Sequence, residues 1–127
     1  MKMLFHGIDL VECSRIEKML SKHGDHFTTK IYTEAELAYA NKHRNPVERL
    51  AGRFAVKEAV LKMIGTGLRE KINWTDVETI NNVDGQPQIN LYNRAKELTE
   101  QLGIDQISVS ITHAAGLAIA SAVALSK

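Results

Sequence analysis

Glu58 lies in the most apolar stretch of the chain, Phe54-Ala55-Val56-Lys57-Glu58-Ala59-Val60-Leu61-Lys62-Met63-Ile64. On a helical wheel of about 100° per residue it falls roughly 40° from Phe54, inside the arc held by Val47, Leu50 and Leu61. A carboxylate there must be paired, protonated or bound to a cation, because losing its water without compensation is costly. Lys62 is its i,i+4 neighbour, in the favourable acid-before-base order, so a structural ion pair is one reading. Asp9 offers another. Two carboxylates suit a hard cation such as Mg²⁺, which keeps waters and completes its shell with substrate phosphates. Gly65-Thr66-Gly67 follows directly, and glycine-rich backbone lets phosphate oxygens approach amide N–H groups beside a lysine charge. The same glycines also serve as an ordinary helix stop.

Arg49, Arg53 and Lys57 recur every four residues, which reads either as a solvated face or as a surface for further phosphates or an acidic protein. His113 has no Cys or metal-spaced His near it, so spacing alone favours a turn histidine bonded to backbone. Together the pieces describe a phosphoryl-type site, with carboxylates for Mg²⁺, a lysine and glycine amides for phosphate oxygens, and basic residues for more distant anionic groups. No P-loop pattern is present. Three functions fit these residues: a phosphoryl-group transferase, a metal-dependent phosphohydrolase, and a non-catalytic binder of a phosphorylated ligand or acidic protein.

The elements that must position these residues are legible. Leu4 to Val11 reads as a strand, with Leu4, Ile8 and Leu10 pointing one way and Gly7 and Asp9 the other. Ser14 to His23 reads as a helix stopped by Gly24, and Thr33-Glu34-Ala35-Glu36 as a capping box opening a helix to about Lys42. Asn45-Pro46 opens the long helix to Ile64. Asp76–Val83 and Gln88–Leu91 flank the Asp84-Gly85 hairpin signal, with Pro87 limiting the second arm to an edge or irregular strand. Asn93 to Leu102 reads as an amphipathic helix. Ile107, Val109 and Ile111 alternate with Ser108, Ser110 and Thr112, and His113 to Gly116 turn the chain into the apolar arm Leu117 to Leu125. The order βαααββαββ, with its last pair antiparallel, defines an α+β fold: an antiparallel sheet packed against a long central helix.

The sequence resembles the holo-[acyl-carrier-protein] synthases, the short 4′-phosphopantetheinyl transferases. The resemblance is carried by Gly7-Ile8-Asp9-Leu10-Val11-Glu12 with Arg15-Ile16, and by Arg53-Phe54-Ala55-Val56-Lys57-Glu58-Ala59 with Lys62 and Gly65-Thr66-Gly67. Asp84-Gly85-Gln86-Pro87 and Ser108-Val109-Ser110-Ile111-Thr112-His113 extend it over nearly the whole chain, residues 1–127, as a single domain. It implies transfer of the 4′-phosphopantetheine arm of coenzyme A to a serine of apo acyl carrier protein, releasing adenosine 3′,5′-bisphosphate. It implies Mg²⁺ held by Asp9 and Glu58, pyrophosphate charge met by Lys62, and Glu58 as the candidate base. Arg53, Gly65, Thr66, Gly67, Gly85, Pro87 and His113 would contact coenzyme A, and Arg15 would lie where the carrier docks. Homotrimers with sites at subunit interfaces are also implied, so Gly85, Pro87 and His113 would serve a neighbour's site. The segment from about Asn93 to Gly103 is longer than in some short members and bears on trimer packing rather than on the metal site.

Composition narrows the alternatives. At 127 residues the chain has material for one modest core. Sixteen Lys and Arg against fifteen Asp and Glu leave a formal charge of +1, which is no footprint for long nucleic acid. Cys13, the one cysteine, allows no intramolecular disulfide and suggests a structural thiol. No signal-peptide core follows Met1, so the cytoplasm is the expected location. The apolar run Ala114 to Leu125 is shorter than the ~18–20 residues of a membrane helix, so no span is expected.

Overall fold

A computed structural model describes residues 2–67 and 69–127. The chain runs β1 (Leu4–Glu12), α1 (Cys13–His23), α2 (Asp25–Ile31), α3 (Glu34–Asn41), α4 (Pro46–Ile64), a 3-10 turn (Trp74–Asp76), β2 (Val77–Asn81), β3 (Pro87–Leu91), α5 (Asn93–Gln101), β4 (Ile104–Ala114) and β5 (Leu117–Ser126). Two antiparallel sheets form, β1-β5-β4 and the β2-β3 hairpin. The order differs from the expectation by one helix. α2 has only seven residues, too few for a periodic signal, and owes its existence to the burial of Phe27 and Ile31.

Local chemistry sets the ends of α4. The Asn45 side chain accepts from the Glu48 amide at 3.2 Å, Pro46 occupies the first turn, and Gly65 ends the helix at φ 93. The α3 capping box forms as expected, the Thr33 hydroxyl accepting from the Glu36 amide and the Glu36 carboxylate accepting from the Thr33 amide at 2.9 Å.

The inner face of the three-stranded sheet lies on α4. Ala118, Ala120, Ala122 and Ala124 of β5 point inward and are buried, and these short side chains let the helix come close. Gly7 is the tightest point: a Cβ there would stand 2.1 Å from the Ala59 carbonyl oxygen and 2.7 Å from the Met63 nitrogen. With α1, α3 and β2 also packed on it, α4 is enclosed on nearly every side. Each fully buried Leu, Val or Phe on it contributes on the order of 1.5–3 kcal/mol.

The β1 alternation holds, but the inward face is the glycine-and-aspartate one. Phe5, Gly7, Asp9 and Val11 face α4, while Leu4, Ile8 and Leu10 stand in the open beside Val123 and Leu125 of β5. Ile8 alone is 59% exposed.

Candidate active site

Because Gly7 lets β1 press against the last two turns of α4, Asp9, two residues on, comes up beside Glu58 and Lys62. Lys62 Nζ lies 2.9 Å from Asp9 Oδ1 and donates to the Ile8 carbonyl at 3.1 Å. The ion pair read from i,i+4 spacing is therefore made with a different acid: Lys62 reaches across to β1 rather than back to Glu58. Among the described residues no hydrogen bond or ion pair ties Glu58 to an architectural partner. It is half-buried, and its carboxyl is pushed above the ordinary value by burial and then by the Asp9 charge, against the opposing pull of Arg15 and Lys62.

Like charges held together in this way fit a divalent cation, which would relieve the repulsion that raises Glu58. Asp9 and Glu58 are the residues that would hold it. Their two-carboxylate set leaves positions for water and phosphate oxygens, as Mg²⁺ requires; no cluster of three or more His, Cys, Asp or Glu exists among the described residues.

Gly65, Thr66 and Gly67 follow directly on the last turn of α4, which carries Lys62. Both glycines have positive φ, and a Cβ at either would meet nothing within 4 Å, so neither is needed for packing against protein. Arg15, in the first turn of α1, stacks its guanidinium 5.2 Å from the Phe54 ring centre while acting on Glu58. It also rims a groove of about 350 Å³ between α1, α2 and the 3-10 turn, floored by Met19, Phe27 and Phe54 and edged by His26 and Lys30.

The remaining candidates form a second group. Gly85, at φ 82, and Pro87 belong to the β2–β3 hairpin. His113 is not in a turn: it lies within β4, its Nε2 3.1 Å from the Glu48 carbonyl oxygen, and it packs so closely on Gly52 that a Cβ there would sit 2.9 Å from that nitrogen. Among the described residues no hydrogen bond or ion pair joins this group to Asp9, Glu58 or Lys62. A larger hollow, about 820 Å³ between β3, α5 and β4, contains none of the residues singled out for chemistry.

The basic stripe is corrected. Lys57 is fully buried, its ammonium bonded to Glu36 Oε1 at 2.8 Å and to the Trp74 carbonyl at 3.1 Å. Arg53 is 3% exposed, with its guanidinium 3.8 Å from the Tyr39 ring centre and Nη2 on Asn81. Neither presents an open basic surface, because α3 and β2 cover that side of α4. Gly7, a motif residue in the sequence, gains from the fold its role of close approach to α4, and Glu36, legible in sequence only as a cap, turns out to be the buried partner of Lys57.

Two carboxylates that fit a divalent ion, beside a lysine and a glycine-rich helix end on an α+β frame, are the parts a phosphoryl-type transfer site needs. The model of the 4′-phosphopantetheinyl transferase superfamily matches residues 6–120, and the chain belongs to that superfamily. It is 44% identical over 114 residues to the holo-[acyl-carrier-protein] synthase of Solibacter usitatus, spanning 90% of this chain and 91% of that one. The fold is that of the Neisseria meningitidis holo-[acyl-carrier-protein] synthase crystal structure, at a TM-score of 0.86 and 31% identity over 94% of this chain and 96% of that one. It also matches the Helicobacter pylori enzyme in complex with coenzyme A, at a TM-score of 0.83 and 30% identity over 94% and 98%. No helix among the described residues is long and apolar enough to cross a membrane.

Proposed function

We propose that this chain, as one domain over residues 1–127, transfers the 4′-phosphopantetheine arm of coenzyme A to a serine of apo acyl carrier protein. The observation that carries the reading is the meeting of Asp9 and Glu58, from distant parts of the sequence, beside Lys62 and the open Gly65–Gly67 end of α4. Membership of the superfamily supplies the reaction class.

In the reaction the serine oxygen bonds to the β-phosphorus of coenzyme A. The bond from that phosphorus to the bridging oxygen breaks, and its electron pair leaves on adenosine 3′,5′-bisphosphate. Lys62, at the rim of the site, meets the growing negative charge of the leaving phosphate as a mobile point charge. The Gly65 amide is taken by the Leu61 carbonyl at 3.0 Å, so the Thr66 and Gly67 amides beyond it are the ones we assign to pyrophosphate oxygens. Glu58 is the group we assign to take the serine proton, because no hydrogen bond or ion pair among the described residues occupies its carboxylate beside Asp9 and Lys62. Mg²⁺ held by Asp9 and Glu58 would supply neutralisation of the diphosphate and polarisation of the phosphorus.

Gly85, Pro87 and His113 form the second group we assign to coenzyme A, with the buried Arg53 as a support beneath the hairpin. Since no hydrogen bond or ion pair among the described residues joins them to Asp9, we assign them to a site completed between subunits. The open apolar face of β1 and β5, Leu4, Ile8, Leu10, Val123 and Leu125, supplies the surface for a homotrimer of this chain. The carrier is assigned to the groove beside Arg15, where basic rim residues meet acidic groups and the apolar floor takes a hydrophobic side chain. Such a reaction belongs in the cytoplasm, where coenzyme A and the carrier meet.

The deciding experiment is mass spectrometry of apo carrier protein incubated with coenzyme A, with and without chelator. Gain of the phosphopantetheine mass is expected only with Mg²⁺. Asp9→Asn and Glu58→Gln should stay folded and lose transfer by about 100-fold or more. Full activity in either variant rejects the assigned metal site. Rapid bisphosphate release without carrier would instead identify a phosphohydrolase, and binding without turnover a binding module.

A further inference from the structure

We infer that Asn81 is a positioning residue for coenzyme A, tying the Asp84-Gly85 turn to the buried Arg53 of α4. The inference rests on the transferase reading above, and deepens it by explaining how the hairpin is held. An arginine only donates, so the Asn81 atom facing Arg53 Nη2 must be Oδ1. The side-chain amide is then committed to the other direction, where Nδ2 donates to the Gly85 carbonyl at 2.8 Å. The two bonds fix the orientation of the amide between them.

Arg53 is a firm anchor. It is clamped against the Tyr39 ring and enclosed between α3 and β2, on the same helix that carries Glu58 and Lys62 farther along. The turn it reaches is already shaped from within. Asn82 Oδ1 accepts from the Asp84 and Gln86 amides, both at 2.9 Å, and the Asn82 carbonyl accepts from the Gly85 amide at 2.9 Å. Asn82 therefore gives the turn its shape, while Asn81 ties it to the helix. Gly85 itself is exposed, has a positive φ and has open space around its missing Cβ, features that suit close approach of a ligand. A turn fixed before binding spares the ligand the cost of ordering it.

The test separates the two bonds of Asn81. In Asn81→Asp the carboxylate still accepts from Arg53 but cannot donate to Gly85, whereas Asn81→Ala loses both. Three quantities are measured on the full chain: thermal unfolding, hydrogen exchange of residues 82–86 without ligand, and coenzyme A affinity by calorimetry alongside kcat. For Asn81→Asp the expected result is an unchanged melting temperature, faster exchange in the turn, coenzyme A binding weakened about fivefold to tenfold, and kcat at saturation held within about twofold. Unchanged exchange, or faster exchange with unchanged affinity, overturns the inference while leaving the transferase reading standing. Loss of melting temperature and kcat together also overturns it, since that is the mark of a merely structural residue. A wild-type chain that fails to bind coenzyme A would fell both.

Discussion

Lys57 Nζ lies 2.8 Å from Glu36 Oε1, and both side chains are closed to solvent. Glu36 also accepts from the backbone amides of Thr33, at 2.9 Å, and Thr79, at 3.0 Å, and Lys57 also donates to the Trp74 and Val77 carbonyls. One buried pair thus joins α3, α4, the 3-10 turn and β2. Burial pushes the Lys57 ammonium below its ordinary value against the pull of Glu36, and the completed hydrogen bonds of both side chains offset the cost of burying them.

Removing one partner should therefore cost more than removing both. Glu36→Gln or Lys57→Met alone is expected to destabilise by about 3–5 kcal/mol, and the double variant to recover a substantial part. Urea unfolding of the three variants checks the sign of the coupling.

Gly7→Ala drives a methyl into the backbone of α4 at Ala59 and Met63, which cannot yield as a side-chain tip would. We expect a loss of about 3 kcal/mol and, since Asp9 rides on the same strand, a drop in transfer activity beyond what the lost stability explains. Activity per folded molecule, measured well below the melting temperature, isolates the second effect.

Lys62→Met should separate chemistry from stability. The Lys62 side chain is 53% exposed, so its ion pair with Asp9 adds little to folding, about 0–1 kcal/mol. Transfer is expected to fall by about 100-fold while the thermal unfolding curve barely moves.

Acid should act through Glu78. Burial alone would raise its carboxyl, but hydrogen bonds from Thr33, Tyr92 and Asn90 and the Lys57 charge outweigh burial and hold it below the ordinary 4.5. A depressed folded value means that this stabilisation is present above about pH 4.5 and is lost as pH falls through the lower folded value. Glu78→Gln should flatten the acid limb of stability against pH, and Tyr92→Phe, which removes the 2.7 Å bond to Glu78 Oε1, should flatten it in part.

The outer face of β1 makes a prediction about assembly. Ile8→Glu or Leu10→Lys places a charge in the centre of the open apolar face without touching the core. Sedimentation should show the proposed trimer replaced by monomer in these variants, with circular dichroism unchanged. A wild-type chain that sediments as a monomer would remove the trimer from the proposal.

The sequence by itself determined the elements whose signals are local. Asn45-Pro46 and Gly65 bound α4, Thr33 and Glu36 open α3, Asp84-Gly85 turns the hairpin, and each is satisfied by atoms only a few residues away. Glu58 was legible as a charge out of keeping with its apolar neighbours, Lys62 as its i,i+4 neighbour, and Asp9 as a second carboxylate on a strand beside a glycine. Tertiary structure alone decided which face of β1 turns inward, which acid Lys62 meets, and that Arg53 and Lys57 are buried. A helical wheel gives directions around one axis but not what lies along them. Because α4 is enclosed on nearly every side, its charged residues found partners on strands and helices far away in sequence, where spacing along the chain carries no information.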